Sequence, residues 1–222
     1  MAYYPIMVDL RGREVLVVGG GSVAGRKIAT LIEYGASVSV VARELSPELK
    51  TLVDSGRVKY LGGEFSLVFL KDRFLAIAAT DDPELNHRIS QAAQAKGMLI
   101  NAVDQPADCS FIVPSIIRRG DLVVSVSTSG KSPALAKKIR AELSSLFGPE
   151  YELFLRMMGK VRESVLSRSS DQKDNSRVFH SIVDSGLLDA IRADNHKKAA
   201  KLLSDIMGQD ISIEDIKDYL KV

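Results

Sequence analysis

Gly19-Gly20-Gly21-Ser22-Val23-Ala24 satisfies the spacing G-x-G-x-x-[GA]. Each small residue answers a separate need of pyrophosphate binding. Gly19 allows a tight turn, Gly21 leaves bare backbone for the phosphates to approach, and Ala24 lets a helix pack closely on a strand. The phosphates would then rest on free N–H groups at a helix N-terminus, at the positive end of its dipole. The spacing alone is a weak signal, so its flanks matter. An apolar β-branched run, EVLVVGG (14–20), leads in. SVAGRKIATLIEYG (22–35) leads out, with Val23, Ile28, Leu31 and Ile32 at helical spacing. A strand, a glycine turn and a helix are the context a dinucleotide site requires.

The second half of that fingerprint is an acid at the end of the next strand, near residue 41, which would bind the ribose hydroxyls. The chain reads Val41-Ala42-Arg43-Glu44 there. Glu44 stands one or two positions late. Arg43 suits a 2′-phosphate or stacking on adenine. These residues leave NAD and NADP both open.

INAVDQPADCSFIVPS (100–115) carries Asn101, Asp104 and Asp108 just beyond an apolar run. Ligands of parallel sheets bind beyond the carboxyl ends of the strands, so this segment lies where a nicotinamide would react. Asp104 reads either as a general base near that point or as a turn cap. Tyr-x-x-x-Lys, the short-chain dehydrogenase pair, is absent. His87, His180 and His196 show no metal-ligand spacing, and Cys109 has no Cys/His cluster around it, so no metal site is expected. Cys109 reads as a small core residue.

DLVVSVSTSGKSPALAKKIR (121–140) contains Gly-Lys-Ser, but position 125, where a triphosphate loop needs glycine, is serine. Ser127, Thr128, Ser129, Gly130 and Lys131 instead lead into a helix capped by Ser132, an anion site without triphosphate chemistry. Residues 114–149 hold six Lys/Arg against two Asp/Glu, a surplus of +4, whereas each flanking part is −1. Arg118, Arg119, Lys131, Lys137, Lys138 and Arg140 supply it. In a chain of net charge +2 this points to one anionic ligand and away from nucleic acid.

The elements that must position these residues follow from periodicity. Strands at 14–20, 36–42, VKYLGG, 74–80 and 98–103 alternate with helices at 22–35, 46–56 and 81–97. That is a parallel sheet covered on both faces. Residues 109–130 read as two strands around Arg119-Gly120-Asp121, followed by a helix at 132–148. From 149 onward only helical spacing appears, and SRSSDQKDNSR (167–177) is the most linker-like stretch. One cysteine excludes an internal disulfide and fits a reducing cytoplasm. No leader pattern and no membrane-length apolar run is present. The expected organisation is an α/β Rossmann-type, doubly wound domain over 1–113, a dimerisation and substrate segment over 114–148, and a small helical domain over 149–222.

YPIMVDLRGREVLVVGGGSVAGRK, AIAATDD..LN, NAVDQPADCSFIVPSII and VSVSTSGKSPALAKKIR, in this order, closely resemble the precorrin-2 dehydrogenase / sirohydrochlorin ferrochelatase family. The resemblance is dense over 5–145 and looser beyond. It implies oxidation of the tetrapyrrole precorrin-2 to sirohydrochlorin with NAD as hydride acceptor, Fe2+ insertion in the same cleft in some members, and a homodimer. It implies a catalytic role for Asp104 in both reactions. It implies NAD contacts at Ser22 and Val23 and at Arg43 and Glu44, the last pair favouring NAD, and Gly19, Gly21, Thr80 and Asn101 complete the expected cofactor site. Substrate carboxylates would fall to Ser127, Thr128, Ser129, Gly130, Lys131 and Arg118. Thr128 stands where the family carries a serine. The methyltransferase activity of longer members is not expected from these residues. A contrasting reading is a non-catalytic NAD(H)-sensing domain, which leaves Asp104 and the basic loop without a task.

Overall fold

The computed structural model of the chain describes residues 3–168 and 171–221. The chain divides into two compact units, one ending at Val113 and the other beginning at Pro114.

The first unit is built on β1 (Glu14–Val18), β2 (Ser37–Val41), β3 (Lys59–Tyr60), β4 (Leu75–Ala78) and β5 (Leu99–Ala102). All neighbours pair in parallel, in the order β3-β2-β1-β4-β5. Helices α1 (Ser22–Glu33), α2 (Pro47–Asp54) and α3 (Pro83–Gln94) connect them. The strands read as unbroken apolar runs because both faces are covered. Val15 and Val17 of β1 pack with Ala24, Ile28 and Leu31 of α1, whereas Leu16 and Val18 pack with Ile89 and Ala93 of α3. Side chains alternate along a strand, so each face of the sheet takes every second residue. Two helix starts follow their sequence signals. Ser46 accepts from the Leu49 N–H ahead of Pro47, and Asp82 accepts from the Glu84 and Leu85 N–H groups ahead of Pro83.

The chain winds from β1 to one side through β2 and β3, then to the other through β4 and β5. The crevice of such a sheet opens where the order reverses, at the carboxyl ends of β1 and β4. The expected third strand shrinks to two edge residues. Leu67–Leu70 and Pro106–Asp108 are single 3-10 turns that no periodicity announced, being shorter than one repeat of any pattern.

The second unit opens with the antiparallel hairpin β6 (Ser115–Arg119) and β7 (Leu122–Val126). Gly120 begins its two-residue turn at φ +57, the sign that the first position of primed hairpin turns demands. Then come α4 (Pro133–Leu146), α5 (Glu150–Arg168), α6 (Gln172–Asp184), α7 (Leu187–Arg192), α8 (His196–Met207) and α9 (Ile213–Leu220). Met157, Ile182, Leu187, Leu203 and Ile216 are fully buried at the centre of the last five. The stretch expected as a linker is largely helical: α5 runs to Arg168 and Asp171 caps α6, while residues 169–170 lie outside the described ones. Among the described residues no helix is long and apolar enough to cross a membrane.

Glu150 is a buried acid in this unit, and Arg192 Nε donates to its Oε1 at 3.0 Å. Burial alone would raise its pKa. Backbone N–H groups and the Arg192 guanidinium more than offset that, and hold the carboxyl below the ordinary glutamate range. A carboxyl whose folded pKa is lowered stabilises the fold above its unfolded value and loses that contribution as pH falls. Arg192→Met should therefore destabilise the fold near neutral pH. The deficit relative to wild type should shrink below the ordinary glutamate value of 4.5. Urea denaturation at several pH values checks this.

Candidate active site

The glycine turn is held by contacts that only bare backbone permits. A Cβ on Gly19, which sits at φ +122, would lie 2.1 Å from the Ala79 carbonyl oxygen, and one on Gly20 would lie 1.9 Å from that of Glu44. Real Cβ atoms do not approach so closely. The Gly19 N–H donates to the Val41 carbonyl at 2.8 Å, and the Ser46 N–H donates to that of Gly20 at 2.8 Å. The turn is therefore tied to the loops after β2 and β4. Gly21 differs, because a Cβ there would meet nothing within 4 Å. It is the N-cap residue of α1 with no side-chain cap, so the first N–H groups of the helix face open space.

That space is a cleft of about 1020 Å³. Gly19, Gly21, Ser22, Val23, Arg43, Glu44, Thr80 and Asp104 all line it. Eight of the residues singled out in the sequence thus meet in one place, from four different strand ends. Its size suits a dinucleotide, its floor is the bare Gly21 turn, and donors at a helix N-terminus face it. The donor set fits NAD(P): Gly21, Ser22 and Val23 would hold the pyrophosphate, with Arg43 and Glu44 near the adenosine.

Asn101 is not among the lining residues. It lies on β5, buried, and its Nδ2 donates to the Phe111 carbonyl at 3.1 Å while its Oδ1 accepts from Lys27 Nζ at 3.3 Å. It stands behind the cleft wall, tying β5 to the segment that returns from the 3-10 turn. Thr80 is locked by Asn86, a buried residue of α3 that closes the resemblance motif AIAATDD..LN but to which the sequence assigned no role. The Thr80 hydroxyl lies 2.8 Å from Asn86 Oδ1, and Asn86 Nδ2 donates back to the Thr80 carbonyl at 3.1 Å. The signal was present in the sequence: Asn86 occupies an inward position on a helix whose other buried residues include Ile89 and Ala93.

Asp104 follows β5 in the left-handed region, at φ +60, a conformation that Asp and Asn tolerate better than other side chains. It is exposed to the cleft, and among the described residues its carboxylate accepts no hydrogen bond. It does not cap the turn. Asp108 does the structural work instead: its carboxylate lies 2.7 Å from His87 Nδ1, and its carbonyl accepts from the Ser90 hydroxyl. Cys109, expected as a core residue, is half-buried, and its thiol donates to the Ala102 carbonyl at 3.2 Å. Desolvation pushes that thiol above its ordinary pKa, so it is no ready nucleophile.

The second unit holds the serine-rich loop. Ser129 and Gly130 take φ +51 and +80, which turns the chain sharply after β7. The Ser129 N–H donates to Ser127 Oγ, and the Ser132 N–H donates to Thr128 Oγ1, each at 3.1 Å. Ser132 in turn caps α4 by accepting from the Leu135 N–H. Lys131 is exposed. Arg118 Nε donates to the Gly120 carbonyl at 3.1 Å. Arg119 is engaged elsewhere, with its guanidinium donating to the Phe147 and Ser144 carbonyls at the end of α4. Among the described residues no group of three or more His, Cys, Asp or Glu gathers as a metal site.

The fold and the glycine turn define a Rossmann-type NAD(P)-binding protein. A family described as "Putative NAD(P)-binding" matches residues 6–115, and "Sirohaem biosynthesis protein central" matches residues 119–146. The siroheme synthase of Photorhabdus laumondii is 43% identical over 78% of this chain and 37% of its own length. That of Actinobacillus succinogenes is 36% identical over 99% of this chain and 44% of its own length. The chain therefore spans about two fifths of these curated relatives. The solved structure of "SirC, precorrin-2 dehydrogenase" superimposes with a TM-score of 0.77 at 27% identity, over 93% of this chain and all of that one. The chain belongs to the siroheme synthase and precorrin-2 dehydrogenase family.

The two kinds of glycine should separate by experiment. Gly21→Ala should fold, at a cost below about 1 kcal/mol, yet weaken NAD binding at least about tenfold because the methyl enters the phosphate path. Gly20→Ala should destabilise the first unit by roughly 3 kcal/mol or more, because backbone must move. Calorimetric NAD titration and thermal unfolding of both variants read the difference.

Proposed function

We propose that this chain oxidises precorrin-2 to sirohydrochlorin with NAD+ as acceptor. The observation that carries the reading is that a single cleft gathers the open Gly21 turn and the uncommitted Asp104 carboxylate. NAD+, when bound, accepts a hydride from the tetrapyrrole. Asp104 takes the proton that leaves the carbon framework in the same oxidation, so the products are sirohydrochlorin, NADH and one proton. A base with no hydrogen bond of its own is free to reach a substrate proton.

The backbone N–H groups of Gly21, Ser22 and Val23 hold the pyrophosphate against the α1 dipole. Arg43 and Glu44 flank the adenosine ribose, and Glu44 supports NAD over NADP in place of the missing strand-end acid. Thr80, clamped by Asn86, lines the far wall. The substrate carries carboxylates around a flat ring. We assign them to the loop Ser127–Lys131 and to Arg118, where the exposed Lys131 and a surplus of positive charge attract anions. The segment 114–148 is assigned to substrate binding and to a homodimer contact, and 149–222 to a helical domain. Asp104 is also suited to accept the pyrrole protons that Fe2+ displaces, so iron insertion is proposed as a second reaction of the same carboxylate.

Purified chain mixed anaerobically with precorrin-2 should develop the sirohydrochlorin spectrum with NAD+ and do so much more slowly with NADP+. Asp104→Asn should lower kcat by roughly a hundredfold or more, the usual scale for losing a general base. No conversion with either cofactor would defeat the reading. Lys131→Ala should raise KM for the tetrapyrrole several-fold, in line with one charge-assisted contact, and leave KM for NAD+ unchanged. Sirohydrochlorin with Fe2+ tests the second reaction separately.

A further inference from the structure

Lys27 is a charged side chain on the wrong side of its helix. Residues 24, 28 and 31 of α1 are its buried stripe, and position 27 stands one turn from 24 and from 31, beside that stripe. Its side chain consequently runs toward the sheet and is half-buried. Its one hydrogen bond given by the geometry is to Asn101 Oδ1, at 3.3 Å. Asn101 is the polar residue in an otherwise apolar strand, LINA, and it faces the α1 side because it alternates with the inward-pointing Ile100 and Ala102 of the other face.

Asn101 passes the constraint on. Its Nδ2 donates to the Phe111 carbonyl at 3.1 Å and lies 3.5 Å from Cys109 Sγ. Cys109 in turn accepts from the Ala102 N–H at 3.3 Å and reaches the Gln105 carbonyl at 3.4 Å. The Gln105 N–H closes on the Ala102 carbonyl. These bonds bracket residues 103 and 104 on both sides. They hold the turn in which Asp104 takes its left-handed backbone. The charges that bear on Lys27 are few. Burial lowers its pKa, the Cys109 thiol and the Asp104 carboxylate oppose that, and Arg26 adds to it. Asp81, Asp82 and Arg88 line the same cleft as Asp104.

We propose that Lys27 is a positioning residue for Asp104: its ammonium anchors Asn101, and through it the Ala102–Phe111 turn, from behind the cleft wall and with a charge opposite to that of the carboxylate. The proposal rests on the reading of Asp104 as the base. A half-buried ammonium costs desolvation that an apolar residue at this position would avoid. Set against the turn that carries Asp104, that cost is what a positioning role would offset.

Two measurements test it. In steady-state oxidation of precorrin-2, Lys27→Met should lower kcat by roughly tenfold, the scale of a slightly misplaced reacting group. KM for NAD+ and for precorrin-2 should stay within about threefold, because Lys27 does not line the cleft. Lys27→Arg should recover most of kcat. Wild-type kcat in Lys27→Met, or Lys27→Arg no better than Lys27→Met, overturns the proposal. The second measurement needs no change at Lys27. The side-chain NMR titration of Lys27 should move to lower pH in Asp104→Asn than in wild type, since the opposing carboxylate charge is gone. An unmoved titration overturns the proposal even if the Lys27 variants fail to fold. The two readings fail separately: wild-type kcat in Asp104→Asn removes Asp104 as base, whatever Lys27 does.

Discussion

The close approach of three loops at Gly19 and Gly20 is the constraint on which the first unit depends. Backbone carbonyls of Ala79 and Glu44 occupy the space where side chains would stand. Three strand ends are thereby drawn together at the point where the sheet order reverses. The loop after β2, with Arg43 and Glu44, and the loop after β4, with Thr80, become walls of one crevice. Gly21, a single residue further on, is bare for the opposite reason: nothing in the protein fills its space. One glycine run thus joins two functions, closing the fold on one side and leaving an anion path on the other.

Where backbone contacts fix that turn, side-chain hydrogen bonds fix the Asp104 segment. It has little regular structure and is stabilised by side chains: Asn101, Cys109, Ser110, and the His87 and Ser90 contacts to Asp108. Those polar residues tie down the segment on both sides of Asp104 and leave its own carboxylate without a partner among the described residues. A base needs that arrangement, with a rigid backbone and an unengaged acid. The serine-rich loop of the second unit follows a similar rule. Its hydroxyls accept its own N–H groups at Ser129 and Ser132, which fixes the turn and leaves Lys131 and the loop surface exposed.

Much of this was legible in the sequence because the first unit obeys simple periodicities. Ser-Pro and Asp-Pro starts marked α2, α3 and α4 correctly, since Pro suits the first helical turn and Ser or Asp supplies its cap. The glycine spacing located the cleft, and strand ends placed Arg43, Glu44, Thr80 and Asp104 near it. What escaped was long-range and polar. The clamp of Asn86 on Thr80, the contact of Lys27 and the placement of Asn101 behind the wall depend on which residues face each other in the folded chain. No local window carries that information. The 3-10 turns escaped because four residues are too few for a period. Residues 167–177 looked like a linker from composition, whereas tertiary packing of Asn175 and its neighbours makes most of them helix.

The central claim is that NAD lies across the Gly21 turn with its reactive end toward Asp104. The most direct measurement is an experimental structure of the chain soaked or grown with NAD+. The expected result has the pyrophosphate on the N–H groups of Gly21, Ser22 and Val23, the adenosine beside Arg43 and Glu44, and the nicotinamide on the Thr80 and Asp104 side. A dinucleotide bound in the reverse sense, or bound away from this cleft, would contradict the account.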